Sequence, residues 1–159
     1  MTKRKFSLNY QDPALVELFQ NVDHKILVAW AIACVERVLP HFEYHFPDDL
    51  RPRQALVTLQ DWIDTGDFKM SVIRGAALAS HAAAREVGED TPARSAARAA
   101  GQAVASAHVP AHAIAAANYC LQAIYRAADR QNADALVAEE RSWQFLHLLE
   151  LSNQTCSGK

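Results

Sequence analysis

Two histidines four residues apart, His108 and His112 in the run HVPAH, are the sharpest chemical pattern in the chain. On one helical face that spacing lets two imidazoles share a metal ion. The pattern is incomplete, because no glutamate stands beside the first histidine and a third ligand has to come from elsewhere in the fold. Pro110 also disturbs the face the pair would share. The expectation is therefore that His108 and His112 are helix-end histidines hydrogen-bonded to a carbonyl or a neighbouring helix, with His81 a third polar residue among alanines, and that the chain has no metal and no cofactor. The alternative is a helical bundle that holds a metal or small molecule through His81, His108 and His112.

Other constellations add little catalysis. No Gly-x-Ser-x-Gly elbow and no glycine-rich phosphate loop occurs, and the five glycines are scattered. Glu139 and Glu140 beside Arg141 read as a solvated face rather than an acid–base pair. Arg94 with Arg98, and Arg126 with Arg130, form two pairs one turn apart, the makings of a weak anion-binding strip. No aromatic residues interleave with them, so nucleic acid is not expected. Arg51 and Arg53 with Trp62 have the composition of a protein-contact hot spot.

The totals agree with a non-catalytic scaffold. The 159 residues hold 16 basic and 18 acidic side chains, a formal net charge of −2 that offers no long-range attraction to polyanions or membranes. Half the residues are apolar, enough for one hydrophobic core in a single helical domain spanning 1–159. The odd set Cys34, Cys120 and Cys156 makes a poor disulfide framework and fits a reducing compartment. With no signal-peptide pattern and no apolar run of about 18 residues, the expected location is cytoplasmic.

Helix signals recur along the chain and strand signals do not, so the expected fold is an all-α bundle of about six to seven helices. Asp12-Pro13 is a cap followed by a first-turn proline. Asp23 caps a second helix whose inward face is Leu27, Trp30, Ala31, Cys34 and Val38, and Pro40 stops it. Residues 41–47 are an aromatic connector, helical or extended. A further helix over 48–65 carries Ala55, Leu56, Leu59 and Ile63 inward and ends at Gly66. Asp67 is positioned to cap the next, which has two apolar stripes and hence neighbours on two sides. Thr91-Pro92 restarts helix to about His108, and Pro110 marks a kink or a break before Ile114, Ala117, Leu121 and Ile124. Asn132 caps a last helix with Leu136, Trp143, Phe145, Leu148 and Leu149 inward, and 153–159 is a frayed tail. Thirty alanines, most of them between Ala76 and Ala138, predict helices packed at short range through small residues such as Ala97, Gly101 and Ala105.

RPRQAL (51–56) leading to Trp62, then DFKMSVIRGAALASHAAAREV (67–87) and ARSAARAAGQAVASAHVPAHAIAAANYCLQAI (93–124), resembles the small bacterial immunity proteins of the fifth-class-like kind found with polymorphic toxin systems. The resemblance covers about residues 48–128. It implies an all-helical cytosolic protein that binds and neutralises a cognate toxin with no catalysis of its own. The partner-contact candidates are Arg51, Arg53, Trp62, His81, Arg85, His108 and His112. A homodimer formed through the two-sided apolar helices is a further expectation.

Overall fold

A computed structural model describes residues 6–156, and among them there are eight α-helices and no strand. They are α1 Pro13–Gln20, α2 His24–Glu36, α3 Pro40–His45, α4 Arg51–Thr65, α5 Met70–Glu86, α6 Pro92–Ala105, α7 His112–Ala127 and α8 Ala133–Cys156. Asp12 accepts a hydrogen bond from the backbone N–H of Ala14, and Thr91 accepts one from that of Arg94, each ahead of a first-turn proline. Gly66 closes α4 in the left-handed region at φ 73°, where an L side chain would be strained, and its N–H donates to the carbonyl of Trp62.

Several boundaries differ from those expected, among them the start of α4 at Arg51 rather than 48, and the open question at Pro110 is decided. Helix α2 ends at Glu36 rather than running to Pro40, because the chain turns tightly there and buries Val38 and Leu39 completely. Pro40 then opens a helix instead of stopping one, since the N–H that proline lacks is not needed at a first-turn position. The resulting α3, which buries Phe42, takes the number of helices above six to seven. Asp67 does not cap α5: its N–H donates to the Thr65 hydroxyl in the turn, and Lys69 precedes the helix without a side-chain cap bond. Residues 92–128 form two helices, α6 and α7, joined by a turn at Pro110, and α8 continues through Cys156 past the start of the expected tail. Residues 157–159 lie outside the described segment.

Helix α6 is the axis of the molecule, packed by α2, α3, α4, α5 and α7. Nine of its fourteen residues are buried, and the largest of these is Val104. A helix surrounded this closely has to present small side chains, because each methylene added would push a neighbour outward. Ser80 on α5 shows how near the backbones come: its hydroxyl donates across the seam to the carbonyl of Ala97 at 2.8 Å. Larger side chains fill the space between α2, α7 and α8. There the fully buried Trp30 donates its indole N–H to the carbonyl of Gln144, and the Gln144 amide donates on to the carbonyl of Ala117. No helix among the described residues is long and apolar enough to cross a membrane.

Candidate partner-binding site

Helices α5, α6 and α7 are electrostatically unlike the rest of the chain. They carry Arg74, Arg85, Arg94, Arg98 and Arg126 against a single acid, Glu86, in a protein whose net charge is −2. Arg94 and Arg126 fold back onto Asp90 at 3.3 and 3.2 Å, and Arg126 also donates to the Ser95 hydroxyl. That arrangement breaks up the two-pair strip. Among the described residues Arg74, Arg85 and Arg98 form no ion pair.

Arg98 belongs to the one stripe of α6 that is not buried, Arg94, Arg98, Gln102 and Ala105, which shows between the flanking helices. His81 of α5 leans over this stripe. Its ring fills the volume a side chain at Gly101 would need, so that a Cβ there would come within 2.7 Å of His81 Cε1. Burial first, then the charges of Arg98, Arg85 and the neighbouring His112, push the His81 pKa down to about 4. The imidazole is therefore neutral at physiological pH, with a buried Nδ1 that has no hydrogen-bond partner. On the α7 side, His112 Nδ1 lies 2.7 Å from the Gln102 side-chain oxygen, the geometry of an N–H donated to the amide. His81, Arg85 and His112 thus come together, with Arg98 and Gln102 added to them.

The other expected site residues lie elsewhere. Arg51 binds the carboxylates of Asp49 and Glu86, and so ties the start of α4 to the end of α5. The bonded guanidinium holds the Asp49 carboxyl below the usual carboxylate range. Arg53 donates to Glu43 at 2.7 Å and to Glu36 at 2.5 Å, clamping α4 to α3 and α2. Trp62 packs at 5.0 Å from the ring of His24, whose Nε2–H donates to the carbonyl of Ser106 at 2.6 Å. His108 is exposed and stacks on Phe68 with ring centroids 6.0 Å apart. Among the described residues no group of three or more His, Cys, Asp or Glu side chains is placed to hold a metal ion.

One polar pair escaped the sequence reading. Glu140, expected on a solvated face, is only 6% exposed and accepts two hydrogen bonds from Arg37, at 2.7 and 2.8 Å. The Arg37 guanidinium carbon in turn lies over the Trp143 ring, 4.0 Å from its centroid. The signal was the register Ala133, Val137, Glu140, Gln144, Leu148, which is the buried edge of α8. Two polar members conceal it, and the Leu136 expected inward is 41% exposed.

Compared with known families, the chain matches the model described as Imm-5 like putative immunity protein over residues 17–151. The chain belongs to this family. The match takes in the six helices α2 to α7 whole, all of α8 but its end, and the second half of α1, well beyond the stretch 48–128 on which the resemblance rested. No curated protein and no solved structure matches the chain. Within this Imm-5 like fold, the cluster of His81, Arg85, Arg98, Gln102 and His112 is framed by α6, the buried axis of the molecule, and by α5 and α7, which pack on it.

Proposed function

We propose that this protein binds a cognate bacterial toxin in the cytoplasm and neutralises it by covering its active surface, with no catalysis of its own. The observation that carries the reading is membership of an immunity family along nearly the whole helical chain. The chemistry of the α5–α7 face supports it. The neutral imidazole of His81, the Gln102 amide and guanidiniums unpaired among the described residues supply donors for a protein partner, while the cysteines with described side chains, Cys34 and Cys120, are fully buried and have raised pKa values. Guanidinium groups suit such a surface because their planar fork recognises carboxylates bidentately.

The test is co-expression with candidate toxin domains, those of any toxin gene found beside this one first. Growth is rescued by the intact chain, and a one-to-one complex with the inactivated toxin elutes from a sizing column. A toxin that kills equally with and without this protein, and forms no complex with it, removes the reading.

A further inference from the structure

The outward face of α5 is exposed along Ser71, Val72, Arg74, Gly75 and Leu78, and at its far end Glu86 is held by Arg51 of α4. Leu78 at its middle is 56% exposed and Val72 50% exposed. Between them stands Gly75, where a Cβ would meet nothing within 4 Å. A glycine inside an exposed helix destabilises it relative to alanine, and no neighbouring side chain or backbone requires one here. Arg74 and Arg85 are exposed on the same helix, and Arg98 of α6 is near enough to His81 that its charge, with that of Arg85, acts on the imidazole. None of the three has a carboxylate partner among the described residues, although acids outnumber bases in the chain as a whole.

We infer that this face is the toxin-docking surface, and that it takes a partner segment with an apolar centre packed on Gly75 and Leu78 and carboxylates reaching Arg74, Arg85 and Arg98. The inference rests on the immunity reading and deepens it. Charge decides the occupant: a second copy of this chain on the same face would gather six arginines that have no ion partner among the described residues, against two Glu86 carboxylates that Arg51 already engages. An acidic partner instead satisfies guanidiniums that the fold leaves open. Gly75 allows the partner's backbone to approach α5 closely, which accounts for a residue that lowers the helix's own stability.

The probe is the inactivated toxin domain that the intact chain neutralises in the co-expression test, titrated calorimetrically with the full chain for affinity and mixed by stopped flow for the association rate. Leu78→Asp weakens binding by about thirtyfold or more, as expected for a central contact. Arg74→Glu with Arg85→Glu lowers the association rate and flattens its dependence on salt. Gly75→Leu raises the melting temperature of the free chain yet weakens the complex, a combination that a purely structural role for Gly75 does not produce. Leu146→Asp, on exposed α8, serves as the control and binds as the parent does. If the parent binds and rescues growth while all the α5 variants do the same, the docking surface is wrong and the immunity reading stands. If the free chain is a dimer that Leu78→Asp dissolves, the face belongs to a second copy and the inference is overturned. A parent chain that neither binds nor rescues overturns both.

Discussion

The imidazole of His81 sits where the side chain of residue 101 would be, and only because that residue is glycine. The contact joins α5 to the central helix at the point where the candidate site lies. It also couples packing to protonation, because the same burial that fits the ring over Gly101 keeps it neutral.

Gly101→Ala therefore forces either the ring or the helix to move. The atoms to be displaced from a 2.7 Å approach belong to a side-chain ring, and alanine gains about 1 kcal/mol of helix propensity over glycine, so the net cost is about 0–2 kcal/mol, a fall of up to roughly 6 °C in melting temperature for a chain of this size. The ring has a route outward, since His81 is only partly buried. Its pKa, followed by NMR, then rises toward the ordinary histidine value. A variant with unchanged stability and an unchanged His81 titration contradicts the geometry.

Acid should loosen the fold through the same residue. The folded pKa of His81 is about 4 against 6.5 for an unperturbed histidine. Between those values the unfolded chain binds a proton that the folded chain does not, so stability rises with pH across this window. The contribution is complete above pH 6.5 and is lost as the pH falls toward 4. His41, pushed down by burial and by His45, acts in the same direction. Denaturant melts of the parent and of His81→Asn, at intervals from pH 7 to 4.5, check this: the parent loses more stability over that range. Parallel curves would falsify the assignment.

The Arg37–Glu140 pair is unequal. Glu140 is buried, whereas the Arg37 side chain is 41% exposed. Removing the arginine strands a carboxylate in the interior, while removing the carboxylate leaves a guanidinium that water can reach. Arg37→Ala is expected to cost about 2–4 kcal/mol, including the lost stacking on Trp143, and Glu140→Gln less. Urea unfolding of the two variants settles the order, and equal costs would mean that the burial of Glu140 carries no energetic weight.

Cys34 and Cys120 should resist thiol reagents in the native state. Both are completely buried, and burial raises both thiol pKa values, so accessible thiolate is scarce. Alkylation followed by peptide mass mapping leaves both unmodified until denaturant is added. Rapid labelling of either without loss of structure would show that the α2–α7 interface opens readily.

Much of this protein was legible along the chain because helices announce themselves locally. Capping residues ahead of Pro13 and Pro92, the stop at Gly66 and the density of alanine are properties of neighbouring residues, and neighbouring residues fix backbone dihedrals. The all-α class and the close packing around Gly101 followed from them. What the chain order could not supply was partnership between residues far apart. Pro40 is compatible with ending one helix or beginning another, and the burial of Val38 and Leu39 decided for the second. Glu140 looked like surface because its partner Arg37 lies 103 residues away. Arg51 and Arg53 looked free for a partner protein, yet the folded chain brings Glu86, Glu36 and Glu43 to them, while Arg98, on a helix without an acid, has no ion partner among the described residues. Local dihedral preference determines helices, but pairing of charges and filling of volume depend on which helices meet, and only the tertiary structure decided that.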